Sequence, residues 1–375
     1  MKAETTSGTV NAPGAVDADF NIFEAAFSPE IEQFARNPFR SSVGSRTSIA
    51  GVRTGTVTFT TELVGSGTAG TAPSIGKLLE PCGFEEITSV AEITGTFSGT
   101  FQVGESVSQS TGMSDATVLA VTDSALYVHN LTGTPGGLTV TGGTSSATVS
   151  SPTITVDAGV AYKSRTAPSA YSSSDVPTVT VDMLNDGLRH RLIGARGSVS
   201  FTASTGQPMQ AQFTFQGPKA ATADATLLSS ISYPGVPPTL LAAEFKVQDF
   251  AGIIDNIEIN ANNELAVRRD ANKASGVIAT EIVSRNVTGS IDPEATLISG
   301  GHDWYNKLET NTTGQLQVTV GAGAGGAGNK FILIGAQTQY TGISTSDRNG
   351  IAVNNVDLAL TETSVGDDDL VILCL

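Results

Sequence analysis

The chain has 375 residues, 36 acidic and 20 basic, with a formal net charge of −16 and only 15% charged residues. At ~150 residues per domain there is room for two or three domains, and 39% hydrophobic residues suffice for packed cores. The acid excess argues against a protein that grips nucleic acid by neutralising phosphates, and two distant cysteines, Cys82 and Cys374, argue against a disulfide framework or a zinc site.

The opening stretch MKAETTSGTVNAPGAVDADF lacks the apolar h-region of a secretory signal. No apolar run reaches the ~18–20 residues that span a bilayer. The expectation is a soluble protein without a membrane anchor, assembled in a cytosol. NIFEAAFSPEIEQFA (21–35) reads as a helix interrupted by Pro29. TGTVTFTTEL (54–63) alternates apolar and polar residues, the period of a half-buried antiparallel strand. In APSIGKLLEPCGF (72–84), Ile75, Leu78, Leu79 and Cys82 stand at i, i+3, i+4 and i+7 of a short helix stopped by Pro81. Cys82 on that stripe reads as a buried structural thiol.

Further along, GSVSFTAST (197–205) and QAQFTFQG (210–217) alternate as strands, with Val199, Phe201 and Ala203 on one side. HDWYNKLET (302–310) is a second short helix, with Asp303 as N-cap and Trp304 and Leu308 spaced i, i+4. GQLQVTVG (314–321), KFILIGA (330–336) and VDLALTET (356–363) are strands, and LVILCL (370–375) is a packed final strand holding Cys374. The fold class is mainly β.

LIGA occurs twice, at 192–195 and 333–336, and each copy opens a strand, loop, strand sequence. Upstream, SIAGVRTGTVTF (48–59) resembles GVIATEIVSRNVTGSI (276–291), and each precedes a short helix containing Lys-Leu. This pattern predicts two β-sandwich or half-barrel units in tandem, each with a short helix. The first is split between 1–96 and 161–244, and the second spans 245–375. Residues 97–160 form an inserted small β domain with four acids, Glu105, Asp115, Asp123 and Asp157, and no Lys or Arg. Its Gly-punctuated hairpins predict a barrel or sandwich, and slow growth of loop-closure entropy permits such an insert. Net charge is −5 over 1–96, −4 over 97–160, +1 over 161–244 and −8 over 245–375, so the acidity is distributed.

Candidate chemistry is thin. GAGAGGAGNK (321–330) contains G-x-G-x-x-G at Gly321, Gly323 and Gly326, but a strand follows where a dinucleotide loop needs a helix, so a hairpin tip is expected. The histidines, His129, His190 and His302, form no metal or nucleophile motif, and neither catalytic residues nor cofactors are expected. Asp367, Asp368 and Asp369 make the densest acidic run; on an extended chain they point to alternate sides, so a solvated or repulsive face is expected rather than a cation site.

Three segments together resemble the tail tube (major tail) proteins of long-tailed bacteriophages: RTGTVTFTTEL, PSIGKLLEPCGFEE and RGSVSFTASTGQPMQAQFTFQG. RRDANKASGVIATEIVSRNVTGSIDPEA in the second half is similar to the same family. The resemblance implies a structural virion protein of the tail without catalysis, assembled in the host bacterial cytoplasm. It implies rings that stack into a tube for DNA, with tape measure, tail terminator and tail-tip proteins as partners. Two units per chain imply trimeric rings over hexameric ones, and the insert is expected to project outward. Gly65, Ser66, Gly67, Thr68, Gly323 and Gly326 are candidates for contacts between rings, and Glu258, Asp367, Asp368 and Asp369 for an acidic lumen. A capsid decoration or tail-tip protein and a carbohydrate-binding adhesive β-protein are the alternatives.

Overall fold

The computed structural model describes residues 1–36, 38–39, 41, 44–165, 176–233, 235–241, 243–300, 302–321 and 328–375. In chain order they form β1 (Lys2–Ala3), β2 (Ile22–Phe34), β3 (Ile49–Glu62), α1 (Gly76–Leu79), β4 (Phe84–Ser98), β5 (Ser106–Gln109), β6 (Met113–Val121), β7 (Ala125–Gly133), β8 (Val140–Gly142) and β9 (Thr148–Ser164). There follow β10 (Val179–Asn185), β11 (Leu188–Ser204), β12 (Gln210–Pro218), β13 (Ala223–Asp224), β14 (Phe245–Val247), β15 (Asn256–Asn260), β16 (Glu264–Arg269) and β17 (Val277–Ser284). The chain finishes with β18 (Thr288–Ile291), α2 (Trp304–Glu309), β19 (Thr313–Val320), β20 (Phe331–Arg348), β21 (Ile351–Thr361) and β22 (Val371–Cys374).

The protein is mainly β, as its alternating runs predict. In β12, Ala211, Phe213 and Phe215 are buried while Gln210 and Gln212 are exposed. Phe59 of β3 stacks on Phe213 and Phe215 at centroid separations of 5.7 and 6.0 Å, giving the core an aromatic centre. The first expected helix is α1 plus a 3-10 turn over Glu80–Cys82, closed by Gly83 at φ 85, a left-handed conformation that suits glycine. Its Ile75, Leu78, Leu79 and Cys82 are all buried, and burial raises the Cys82 thiol well above its ordinary pKa. Gly76 permits the helix to sit against β9, since a Cβ there would lie 2.1 Å from the Tyr162 hydroxyl. In α2, the Asp303 carboxylate accepts from the Asn306 amide at 3.0 Å, as an N-cap should.

The stretch 21–35 is not a helix. Its residues pair with β3 over most of their length as β2, with Pro29 opposite Gly55. On an edge strand the missing proline N–H deprives no ladder of a bond, and Glu24 at φ 51 takes a bulge conformation that no helix tolerates.

Two antiparallel ladders have the same order. One runs β1–β10–β11–β12–β3–β2. The other runs β14–β19–β20–β21–β18–β15. The LIGA strings lie in β11 and β20, the third strand of each ladder. Pairing of β11 with β15 joins the ladders into one sheet. The long pair β4 and β9 crosses the expected insert boundaries at 97 and 160 and carries β5–β8 at its far end. Phe101, Val107, Met113, Val118, Leu126 and Val140 belong to a separate core there. At the near end, β22 lies between β20 and β9, and burial raises the Cys374 thiol.

His302 is sealed beside α2, stacked on Phe250 at 4.5 Å and 2.9 Å from the Tyr340 hydroxyl. Burial, with Lys307 adding repulsion, depresses its pKa to about 4. The unfolded chain, near ~6.5, then binds more protons than the folded one between those values. Stability therefore falls as pH drops through that window. Thermal melts from pH 7 to 5 should show a loss for the native protein that is smaller in His302→Gln; parallel slopes would refute the assignment.

Candidate assembly interface

One face of the joined sheet is covered and the other is open. On the covered side lie Phe201, Phe213, Ile257, Ile259, Val356 and Leu358, all buried. The open side follows from the strand registers. Glu62, Gln210, Thr202, Glu258, Ser290 and Asp357 stand in one cross-strand row. The next row is Thr60, Gln212, Ser200, Asn260, Thr288 and Ala359. The strand segments 54–62, 197–204, 210–216, 256–260, 288–291 and 355–361 contain three carboxylates, Glu62, Glu258 and Asp357, and no Lys or Arg. An amide and hydroxyl surface of this kind is solvated easily and offers no cation to a phosphate.

Glu258 stands on this face, but the acidic run near the C-terminus is elsewhere. Asp368 and Asp369 are buried, which corrects the expectation of a solvated face. The Asp369 carboxylate accepts from Arg285 Nε at 2.8 Å. Asp368 accepts from the Thr363 amide at 2.8 Å and from its hydroxyl. Arg285 lies far away in sequence, so spacing alone could not reveal the partner. Asp367 takes φ 58, turning the chain into β22.

In the loop after β3, the Gly65 amide donates to Asn329 Oδ1 at 2.9 Å, and the Gly67 amide donates to the Gly328 carbonyl at 3.2 Å. Ser66 donates to the Thr68 carbonyl at 2.8 Å. The loop is thereby stitched to the connection between β19 and β20, whose Gly323 and Gly326 lie outside the described residues.

The strand edges that lie open among the described residues include those of β2 and of the outer half of β20. Among the described residues β2 has no strand partner except β3. Beyond Gln339, β20 pairs only with β21. Where the ladders join, by contrast, the edge is filled: Ser200–Ser204 pair with Asn260–Asn256. Past this seam β16 and β17 form a hairpin that packs on β11. Gly194 at φ 60 admits it, since a Cβ there would lie 2.9 Å from the Ile278 carbonyl oxygen. Asn263 donates from Nδ2 to the Gly197 and Cys82 carbonyls at 2.9 and 2.7 Å.

Arg196 locks the hairpin down. Its guanidinium is buried and paired with Glu281 of β17. It donates to the Thr280 carbonyl at 2.8 Å and twice to the Val176 carbonyl, at 3.1 and 2.6 Å. Burial pulls this group below its ordinary pKa, and Glu281 opposes that shift. Sequence reasoning missed the pair; the one available signal was an arginine opening a run of small and β-branched residues.

A family model described as phage tail tube protein matches residues 166–361, which take in β10 through β21. No curated protein matches the chain.

Breaking a buried ion pair costs about 3 kcal/mol or more, because one charge is left without its partner. Urea unfolding of Glu281→Gln should show a loss of that order; a change within about 0.5 kcal/mol would show that the pair does not hold the hairpin.

Proposed function

The chain belongs to the phage tail tube proteins, structural components of the virion tail, and from that premise we propose that it is the repeating subunit of the tube. Copies join edge to edge into rings, the rings stack, and the open polar face turns inward as the bore through which DNA passes. The observation that carries this reading is the pairing of an open, cation-free sheet face with two unpaired strand edges on one chain.

The chemistry of that face supports passage without adhesion. Phosphates bind proteins chiefly through Lys and Arg, with release of condensed counterions. A lining of Gln, Thr, Ser and Asn hydrates well, and the carboxylates of Glu62, Glu258 and Asp357 repel the backbone at short range. Of the acids named for the lumen from sequence, Glu258 is the one this reading keeps.

The matching ladders support two tandem tube units per chain, so three chains complete one ring with pseudo-sixfold symmetry. The β5–β8 domain is borne on the long β4–β9 pair and projects away from the bore. The stitched loop at Gly65–Thr68 faces the next ring. Tape measure, tail terminator and tail-tip proteins are the partners, and assembly takes place in the host cytoplasm before the tail joins the virion. Family membership favours this reading over a capsid decoration, a tail-tip protein or a carbohydrate-binding adhesive.

Electron microscopy of the purified protein should reveal rings or a hollow tube with threefold symmetry and three chains per ring. Rings of six chains would reject the tandem-unit stoichiometry, and a protein that stays monomeric under all conditions would reject the tube. A cation placed on the lining should matter too. Tubes bearing Gln212→Lys or Ser200→Lys should retain DNA in a pull-down that weakens steeply with salt, whereas native tubes retain none.

A further inference from the structure

The internal seam contains the template for a second one. Each ladder has the same neighbours in the same order, so residues can be matched by register alone. In the first ladder Ile22 faces Thr61, which faces Ala211, which faces Phe201. In the second, Ile257 faces Ile291, which faces Val356, which faces Ile343. Ile22 is thus the counterpart of Ile257, and Phe201 that of Ile343. At the internal seam Ile257 pairs with Ala203, two residues beyond Phe201. Two residues beyond Ile343 is Thr345, on the open edge of β20.

Resting on the tube reading above, we infer that the edge of β2 in one copy adds to the outer half of β20 in a second copy, with Ile22 opposite Thr345. The same register sets Phe23 opposite Ser344 and Asn21 opposite Ser346. The contact is antiparallel, as the internal seam is. Unpaired strand edges are the usual template for such addition.

Exposure supports this occupant. Ile22 is 51% exposed although its counterpart Ile257 is buried at 3%. Counting back from the matched residues Thr60 and Ser290 makes Ile49 the counterpart of Ala279. Ala279, within the packed hairpin itself, is fully buried, whereas Ile49 is 52% exposed. Phe34, opposite Ile49 in β2, is exposed as well. The β2–β3 arm therefore carries the apolar surface that its counterpart, β16–β17, buries on β11. On a second copy's β20, the residues that would face the arm's Ile22, Thr345 and its neighbours Ser344 and Ser346, are exposed.

The two seams differ in one respect. Gln337 and Gly51 stand where the internal seam has Arg196 and Glu281. An arm docked on the wrong bed would leave the Arg196 guanidinium buried against a glycine, without a countercharge. That mismatch discriminates against it. The seam between copies, lacking a buried ion pair, depends on backbone bonds and apolar contact.

Directly opposed residues in an antiparallel pair hold their Cβ atoms ~4.5–5.5 Å apart, close to disulfide reach. The native Cys82 and Cys374 are buried and leave little background. Assembled Ile22→Cys/Thr345→Cys protein, mildly oxidised, should run as a covalent trimer on a non-reducing gel. A mixture of Ile22→Cys with Thr345→Cys should stop at dimers. Ile22→Cys/Thr341→Cys, about 13 Å out of register, should stay uncross-linked. Tubes in the microscope with no cross-link, or with the out-of-register pair cross-linking instead, would overturn the seam and leave the tube reading intact. Absence of any assembly would overturn both.

Discussion

Every backbone amide and carbonyl on a sheet must find a partner or face water, and between the two ladders of this protein that requirement is met by the pairing of β11 with β15. Ser200–Ser204 take Asn256–Asn260 as their neighbours, and this single ladder makes two β assemblies continuous. The open polar face depends on it, because Thr202 and Glu258 are adjacent only through that register. So does the burial of Arg196, which lies beneath the hairpin leaving the seam. The edges left over at β2 and β20 are the same requirement unmet, and they give the proposed ring its direction of growth.

A division of labour between the two faces follows. Phe59, Phe201, Phe213 and Phe215 commit the covered face to one packing, since interiors at close-packed density tolerate few alternatives. In the proposed tube, the open face is then free to be chosen for what slides past it. Thr, Ser, Gln and Asn at alternating positions satisfy strand propensity while presenting no fixed positive charge. In that reading, fold and function occupy opposite sides of the same strands.

Much of this was legible in the sequence. Alternation marked β3, β11, β12, β19, β20 and β21, and the LIGA strings marked the third strand of each ladder. Two classes of feature were not. In 21–35 the apolar residues fall at spacings a helix shares, and no local signal shows that β3 pairs along the whole stretch. The spacing of Asp367–Asp369 likewise said nothing of Arg285, because a buried carboxylate is defined by a partner that only the fold brings near. The same holds for Arg196 and Glu281. Glu258, named from sequence for an acidic lumen, stands in the open cross-strand row only because β15 pairs with β11, which its spacing does not show.

The placement of β22 bears on the order of synthesis. This strand is wedged between β9 and β20, and its Val371 and Leu373 share a cluster with Val90, Ala161, Ile332 and Ile334. Translation delivers β9 long before that wedge, and at ~5–20 residues per second the wait is on the order of ten seconds or more. In that interval the β5–β8 domain, which has its own core, can fold on the ribosome before β22 ties β9 to β20. In the proposed tube, a nascent chain that has not yet made β22 would lack the strand that ties β9 to β20.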